Sequence, residues 1–401
     1  MIGSFKYGWF KNLLNSIQVA YNKIVIIAAS AGSSAGSNMG RCVAINDNGN
    51  IVAGSQPGNI RITVASHDNI TSYGFISDSG AVALGYDLSM NSAGTRIVYS
   101  RSNSSGQILV KDFTAPATWL QIGQTLTLGS FPIPMSMNGI GNIFIVSSPL
   151  STINGYTNSG VSRVYELVGS TWTQKGDVLK GSFDERSGSS NSINKAGDII
   201  AIGAPYASTN ITQIGSVSTF EWISNTWTKK GSILVGDEVG SRFGGEVCLN
   251  YAGDVLAIGA PNKINANGSR GCVYIYEWVD TDWVQMGQTI VPSVTTNDSF
   301  GWSLSLNENG NILLIGDYSD DSDAYPTSDQ GSISVYQWDG SNWILNIPRV
   351  LGSPASTTRS DNFGFSTAIN SIGDKLIVGA PNNDYGGTTN RGRYYTYTLS
   401  A

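Results

Sequence analysis

The chain has 401 residues with a formal net charge of −6, and only 13% of the residues are charged, while 48 are glycine. This balance argues against binding to a nucleic-acid backbone, which needs clustered Lys and Arg. No run of 18 apolar residues is present, so we expect no membrane-spanning helix. The three cysteines lack the close spacing of a disulfide framework.

The first 22 residues have the pattern of an amphipathic helix, with apolar side chains at helical spacing and polar ones between them. We expect residues 1–22 to form an arm apart from the main domain, which spans residues 23–401. This arm either packs on a face of that domain or docks on another subunit. The residues of its apolar stripe, which would make the docking contacts, are Phe10, Leu13, Leu14, Ile17 and Tyr21.

One sequence phrase recurs along the rest of the chain. It consists of an apolar stretch ending in Asn, a tight turn with Gly, an apolar strand, a polar loop, an alternating aromatic strand and a last polar strand. A unit of this length cannot bury its own faces, so the units must pack against one another as an array. The turn Asn recurs, at intervals of 45 to 63 residues, at Asn46, Asn91, Asn138, Asn194, Asn250, Asn307 and Asn370.

The unit around Asn250 predicts four antiparallel strands. Residues 243–249 alternate, residues 255–260 are almost continuously apolar, and Pro261 then ends the second strand because it cannot donate to a ladder. Alternation returns over residues 271–278, and the fourth strand begins at Trp283. Seven such units predict an all-β fold, a seven-bladed β-propeller of four-stranded antiparallel blades.

The last unit ends after three strands, since Leu399 lies two residues before the final position. An unpaired sheet edge would remain unless a strand comes from elsewhere. Residues 23–29 have the right length, apolarity and distance from the first turn Asn. We therefore predict that this N-terminal strand closes the ring beside residues 394–397.

Tryptophans recur in pairs, five residues apart, at the hairpin between the third and fourth strands. The first members are Trp222, Trp278 and Trp338. This spacing places two rings across a short hairpin, where aromatic pairs stabilise a sheet. The pairs either pack the outer hairpin or form a sugar-stacking site in each blade.

Candidate sites for a metal or for catalysis are few. Four carboxylates within seven residues of one loop either bind a cation such as calcium or form a solvated acidic loop. The single histidine, His67, lies in a polar stretch that we expect to be solvated, and it excludes multi-histidine metal sites. No catalytic motif is visible, so we expect neither enzymatic activity nor an organic cofactor. The acidic loop residues are Asp317, Asp320, Asp321 and Asp323.

Two short motifs carry a resemblance to a known family. Phe-Gly begins the first strand, and Gly-Ala-Pro ends the second. The chain thereby resembles the FG-GAP repeats of integrin α-chain heads and of related bacterial, algal and viral proteins, well over residues 185–399 and weakly over residues 39–184. The resemblance implies a propeller with calcium in the first hairpin, but the hairpin after Asn250 lacks the several carboxylates that calcium needs. The matching residues are Phe243-Gly244, Phe300-Gly301, Phe363-Gly364, Gly203-Ala204-Pro205, Gly259-Ala260-Pro261 and Gly379-Ala380-Pro381.

The long polar loops all follow the second strand, so we expect them to cluster on one face of the disc, where binding would occur. We predict a non-enzymatic structural or interaction propeller at the surface of a virus or phage particle. Its partners would be other particle subunits, itself or a host surface. The alternatives are a secreted or cell-surface propeller that binds carbohydrate, and a carbohydrate-active enzyme, which would need acidic residues at the axis.

Overall fold

Seven antiparallel sheets follow one another along the chain, and the first strand of each touches the first strands of its two neighbours, so that the sheets form a closed ring. These sheets are the seven blades of the predicted propeller, and the fold prediction is confirmed. The computed structural model describes residues 23–59, 61–77, 83–102, 106–114, 118–128, 134–208, 213–266, 268–292, 299–321, 329–352, 361–384 and 389–400. The helix predicted for residues 1–22 lies outside these ranges.

The chain enters the ring through β1 (Lys23–Ala31). Each blade then takes its strands in chain order from the axis outward. Blade 1 contains β2 (Val43–Ile45), β3 (Ile51–Gln56), the 3₁₀ turn Pro57–Asn59, β4 (Arg61–Ser66) and β5 (Ser72–Ser77). Blade 2 contains β6 (Ala83–Met90), β7 (Arg96–Ser102), β8 (Gln107–Thr114), β9 (Thr118–Gln121) and β10 (Leu126–Thr127).

The fourth strand of blades 2, 3 and 4 is split into two pieces, and both pieces pair with the third strand. Blade 3 contains β11 (Met135–Met137), β12 (Ile143–Ser148), β13 (Val161–Val168), β14 (Thr171–Gln174) and β15 (Leu179–Lys180). Blade 4 contains β16 (Ser190–Ile193), β17 (Ile199–Ala204), β18 (Ser216–Ile223), β19 (Thr226–Lys229) and β20 (Leu234–Val235).

The last three blades complete the ring. Blade 5 contains β21 (Glu246–Leu249), β22 (Val255–Ile264), β23 (Arg270–Val279) and β24 (Asp282–Gln285). Blade 6 contains β25 (Ser303–Leu306), β26 (Ile312–Asp317), β27 (Ser332–Trp338) and β28 (Trp343–Leu351). Blade 7 contains β29 (Ser366–Ile369), β30 (Lys375–Ala380), β31 (Arg393–Ser400) and, as its fourth strand, β1.

Strand β1 pairs with β31 from Lys23↔Ser400 to Ala31↔Arg393, with one register shift between Ile26 and Ala28. The predicted closing strand is thus confirmed, and it extends two residues beyond the predicted end. The first and last strands of the ring are held by one antiparallel ladder, so β31 has a partner on its outer edge where the ring closes.

The hydrophobic core lies between the blades. Every residue of β12, β17 and β26 is buried, as the continuous apolar pattern of the second strands predicts. Side chains of neighbouring second strands share single clusters, for example Ile199 and Ala201 of blade 4 with Leu256 and Ile258 of blade 5. Each sheet therefore covers the apolar face of the next one.

Glycines allow this close approach at the upper end of the second strands. A Cβ atom on Gly203 of blade 4 would overlap the carbonyl oxygen of Gly244 in blade 5, and Gly259 stands in the same relation to Gly301 of blade 6. The Gly-Ala-Pro glycine of one blade thus meets the Phe-Gly glycine of the next. The two motifs of the family resemblance are one packing contact between blades.

The turn Asn of every blade is buried. In blade 5 the Asn250 Oδ1 accepts the backbone N–H groups of Gly253, Asp254 and Val255 at 2.9–3.0 Å. Gly253 has a φ of 75°, in the left-handed region that glycine adopts without strain. The Asn side chain therefore serves as the acceptor for Asp254 and Val255 in place of a ladder partner, while Gly253 also donates to the Asn250 carbonyl oxygen at 3.1 Å.

The residues that follow the turn Asn form a ring of backbone hydrogen bonds at the lower end of the axis. Six bonds run from blade to blade, and the seventh step is made by Asn250 Nδ2, which lies 3.5 Å from the Glu308 carbonyl oxygen. This ring links all seven hairpins. Its members are Asp47, Ser92, Gly139, Lys195, Tyr251, Glu308 and Ser371.

Two local expectations from the sequence are wrong. His67 is fully buried rather than solvated, because blade 7 covers it, and its Nε2 lies 3.1 Å from the Tyr397 carbonyl oxygen. Strand β22 continues past Pro261 to Ile264, because its register shifts after Ala260 and the ladder no longer needs a proline N–H.

Removal of residues 1–29, which includes most of β1, should abolish the single cooperative unfolding transition, because β31 would lose its outer partner. Removal of residues 1–22 alone leaves β1 intact and is the matched control. Circular dichroism during thermal unfolding measures both. An unchanged melting curve after the longer deletion would show that the ring closes without β1.

Replacement of Asn307 by Ala should lower the free energy of unfolding by roughly 2–4 kcal/mol, because the backbone N–H groups of Asn311 and Ile312 lose their acceptor. Asn307→Asp keeps the acceptor oxygen and should cost much less. Urea unfolding measures both variants. Equal losses in the two variants would contradict this account of the turn.

Candidate functional site: the upper mouth of the axial channel

The axial channel opens at the face opposite the Asn hairpins. The turns before the first strands and the loops after the second strands meet there, which agrees with the clustering of polar loops expected from the sequence. The opening is a cavity of about 600 Å³, a size typical of ligand sites. We call it the funnel, and the residues that define it are Arg41, Arg186, Tyr206, Arg242, Trp302 and Phe365.

Two arginines of the funnel lie against one tyrosine ring. The guanidinium carbon of Arg186 is 4.2 Å from the centroid of Tyr206, and that of Arg242 is 5.7 Å from it. Arg186 and Tyr206 belong to blade 4, and Arg242 belongs to the turn that begins blade 5. Because a guanidinium that stacks on a ring keeps its N–H donors free in its own plane, Tyr206 holds the two charges in place without occupying their donors.

A second group of aromatic rings holds Arg41. Its guanidinium carbon lies 4.8 Å from the Tyr86 centroid and 5.4 Å from the Phe365 centroid. Phe365 in turn packs with Trp302 and Tyr318, at centroid distances of 5.8 Å and 5.7 Å. The rings come from blades 2, 6 and 7, so this contact exists only in the closed ring.

None of the three funnel arginines forms an ion pair with a residue that the structure describes. The Nε atoms of Arg41 and Arg186 are buried without a hydrogen-bond acceptor, and the guanidinium group of Arg242 lies over the ring of Tyr206. Two arginines outside the funnel are paired: Arg96 with Asp112, and Arg349 with Asp320. The funnel therefore presents positive charge and N–H donors that its described surroundings leave unused.

The backbone of Arg186 and Arg242 is in the left-handed region, with φ values of 49° and 57°. The equivalent positions of blades 1 and 7 hold Asn38 and Asn362, at 51° and 54°. Asn tolerates this conformation, whereas Arg in it costs about 1 kcal/mol. At this left-handed position, blades 4 and 5 thus have Arg, which is strained there, whereas blades 1 and 7 have Asn, which tolerates the conformation.

Acidic side chains lie deeper, at the throat of the funnel. Asp87 accepts the N–H of Leu88 at 2.9 Å, the N–H of Met135 at 2.7 Å and the thiol of Cys42 at 3.1 Å. Glu246 is half-buried, and its carboxyl group has no hydrogen-bond partner among the described residues. The two carboxyl groups interact electrostatically across the throat.

Burial perturbs the protonation of all three throat groups. It raises the pKa of Asp87 to about 6, although the hydrogen bonds to this carboxyl and the charge of Arg41 oppose the shift. Burial and the nearby charge of Asp87 raise the pKa of Glu246 to about 8. The pKa of the Cys42 thiol is also raised, by burial and then by Asp87, so at neutral pH it is a thiol and not a thiolate.

Three side chains bond to one another at the lower end of the channel. Lys195 Nζ lies 2.8 Å from Asp47 Oδ2, and the Tyr251 hydroxyl donates to Asp47 Oδ1 at 2.5 Å. Burial and the charge of Asp47 raise the pKa of Tyr251, so its hydroxyl stays protonated and can donate. A cavity of about 270 Å³ is lined by these side chains and by the first strands of the blades.

The tryptophans predicted as sugar platforms lie at the contacts between blades. Trp222 is directly opposite Trp227 in the ladder, with centroids 5.2 Å apart, and Lys175 of the preceding blade lies 4.4 Å from its ring. Trp278 is arranged in the same way, with Lys230 at 3.8 Å. Trp338 stands opposite its partner in blade 6. The cross-strand pairing is confirmed, and sugar stacking by these half-buried rings stays a prediction.

The acidic loop of blade 6 is only partly described, because Asp323 lies outside the described residues. Asp320 is buried and held by Arg349 through two hydrogen bonds. Asp317 and Asp321 each accept a backbone N–H, at 2.9 Å and 2.8 Å. Among the described residues, no three His, Cys, Asp or Glu side chains are placed to share a metal ion. Calcium binding by this loop stays a prediction.

The predicted docking residues Phe10, Leu13, Leu14, Ile17 and Tyr21 lie outside the described ranges. The funnel, in contrast, was missed by the sequence analysis. One signal was present: the position eight residues before the turn Asn is Asn in blades 1 and 7 but Arg in blades 4 and 5. A positive charge at a position that holds Asn, Ala or Ser in the other blades marks a departure from the repeat.

The throat should make stability fall with rising pH. In the unfolded chain Asp87 and Glu246 titrate near pH 4, but in the folded protein they titrate at about pH 6 and about pH 8. Between these limits the folded state binds more protons, so folding weakens as pH rises. Glu246→Gln should reduce by a few degrees the drop in melting temperature between pH 5 and pH 8.

The control for this prediction is Glu277→Gln, which removes an exposed carboxylate on β23. Differential scanning fluorimetry across the pH range compares the three proteins. Parallel pH profiles for the native chain and Glu246→Gln would show that Glu246 titrates normally.

No protein-family model and no curated protein matches this chain. Among solved structures, the chain is similar to the crystal structure of the Myceliophteria thermophila Cps50 (Swd1) beta-propeller domain. The TM-score is 0.59 at 8% sequence identity, over 93% of this chain and 100% of that one. At this identity the likeness establishes the β-propeller fold alone. In the part of the chain that the structure describes, no helix is long and apolar enough to cross a membrane.

Proposed function

We propose that this protein is a non-enzymatic interaction module that binds a partner protein at the funnel. The observation that carries this proposal is the set of three arginines, held on aromatic rings and without ion-pair partners among the described residues, around the open end of the channel. Arg, Tyr, Trp and Phe are the residues that dominate protein interfaces. Loops from several blades reach this opening and supply its rim.

The nucleophiles and bases of the chain support a binding role rather than catalysis. His67 is buried between blades 1 and 7, with its ring nitrogens against Asp68 and the Tyr397 carbonyl. The Cys42 thiol has a raised pKa and donates to Asp87, which is the opposite of an activated nucleophile.

A carbohydrate-active enzyme is a second candidate, because Asp87 and Glu246 stand at the axis, where such an enzyme needs its acids. Hydrolysis of a glycosidic bond needs two available carboxyl groups. Asp87 is already occupied by two backbone N–H groups and a thiol, which leaves Glu246 alone. This arrangement favours the interaction module.

We also propose a family, a location and a glycan ligand for this protein. Membership of the FG-GAP family is supported by the contact between the Phe-Gly and Gly-Ala-Pro glycines, which explains why the two motifs occur together. Location at the surface of a virus or phage particle depends on residues 1–22, which lie outside the described ranges. Adhesion through surface glycans depends on the exposed parts of Trp222, Trp278 and Trp338.

The test is a selection of displayed peptides on the immobilised protein, followed by binding to variants. We expect selected peptides to lose at least about tenfold in affinity with Tyr206→Ser and with Trp302→Ser, because both remove an aromatic anchor of the funnel. Val284→Ser, on the exposed outer strand β24, is the matched control and should leave affinity unchanged.

Two results would overturn the proposal. One is a set of binders that respond to Val284→Ser but to neither funnel variant, which would place the interface on the outer rim. The other is hydrolysis of a glycan library that Glu246→Gln abolishes, which would make the second candidate the function.

A further inference from the structure

The funnel arginines are held in place but not neutralised. Arg186 and Arg242 share the ring of Tyr206, so two positive charges lie close together without a described anion between them. Like charges repel each other in a partly desolvated site, and a bound anion relieves that repulsion. The geometry is that of a site in which a bound ligand supplies the negative charge.

The acids nearest in sequence do not supply that charge. Asp184 accepts a hydrogen bond from the side chain of Asn158 at 3.1 Å, and Glu185 accepts the backbone N–H of Ser182 at 2.7 Å. On the other side, Asp237 pairs with Lys263 at 2.5 Å, and Glu238 accepts the backbone N–H of Ile264 at 3.3 Å. Glu246 lines the same cavity, but its pKa is raised to about 8, so it is mostly uncharged at neutral pH. In the part of the chain that the structure describes, none of these carboxylates forms an ion pair with Arg186 or Arg242.

The backbone adds an independent observation. The backbone of Arg186 and Arg242 has left-handed φ values. The carbonyl oxygen of each accepts a hydrogen bond from the backbone N–H three residues further along the chain, at 3.1 Å and 2.8 Å. Asn362 of blade 7 makes the same turn with its carbonyl, at 3.1 Å. Because Asn fits the turn better, the turn itself does not explain the arginines. Strained residues of this kind are typical of functional sites.

On the basis of the function proposed above, we infer that the Arg186–Tyr206–Arg242 group is a carboxylate-binding site that takes Asp or Glu side chains of an acidic segment of the partner protein. Arginine pairs with a carboxylate through two parallel hydrogen bonds, and stacking on a ring leaves its N–H edge free for them. Arg41, on the other side of the funnel, provides a second contact for the same segment.

An acidic peptide fits better than an acidic glycan. Sugars bind to open faces of aromatic rings, but the Tyr206 ring carries guanidinium groups. Phe365 is covered by Arg41 and by the rings of Trp302 and Tyr318. An incoming ligand therefore meets N–H donors before it meets ring faces.

The experiment measures fluorescence anisotropy of a labelled eight-residue peptide of alternating Glu and Ser. Its Gln–Ser and Lys–Ser counterparts and a galacturonic acid octamer are the comparison ligands. We expect the Glu–Ser peptide to bind at least about tenfold more tightly than the others and to weaken in high salt. Arg186→Asn and Arg242→Asn should each lose about tenfold, and the double variant should lose more.

The Asn variants keep the left-handed turn, because the chain itself has Asn at this position in blades 1 and 7. Their melting temperatures should equal or exceed that of the native protein, so a loss of binding cannot be assigned to unfolding. Lys229→Gln, which removes an exposed charge on β19, is the charge-matched control and should bind as the native protein does.

The inference is overturned if the Gln–Ser peptide binds as tightly as the Glu–Ser peptide, if the Asn variants bind unchanged, or if only the galacturonic acid octamer binds. Selected peptides that need Tyr206 and Trp302 but contain no acidic residue would refute the carboxylate site and leave the interaction module intact. Failure of every peptide at the funnel would refute the interaction module itself.

Discussion

The structure depends on how closely two neighbouring sheets can approach near the top of the axis. There the glycine of one Gly-Ala-Pro lies against the carbonyl of the next Phe-Gly, as Gly203 does against Gly244, and no side chain fits between them. This contact lets the buried second strands share one core with the next blade. A bulkier residue would wedge two blades apart, and because the ring is closed, the misfit would pass to every other interface.

The blades, the closing strand and the hairpin glycines could be predicted from the sequence because they are repeated or local features. Seven copies of one turn reveal an array, and a unit with three strands calls for a fourth. The funnel could not be predicted in the same way, since Arg41, Arg186 and Arg242 come from three blades and meet only in the closed ring. His67 was misjudged for a related reason: the strand that covers it lies 330 residues further along the chain.

The two ends of the channel differ although the blades repeat. At the lower end Lys195, Asp47 and Tyr251 are paired with one another. At the upper end the arginines remain without such partners among the described residues, and two of them lie in a backbone conformation that suits Asn better. The contacts at the lower end are explained by their contribution to the stability of the fold. The upper end has features that stability alone would select against, which is the usual sign of a site kept for binding.

The ladder that closes the ring also decides where the rest of the chain leaves it. Lys23 pairs with Ser400, and the N–H of Leu399 bonds to the Asp374 carbonyl oxygen in the last Asn hairpin, so both ends of this ladder lie on the side of the Asn hairpins. Whatever is joined to either end, natural or engineered, starts from the rear of the disc. An attachment made there would leave the arginine-lined opening on the opposite face of the disc, directed away from the support.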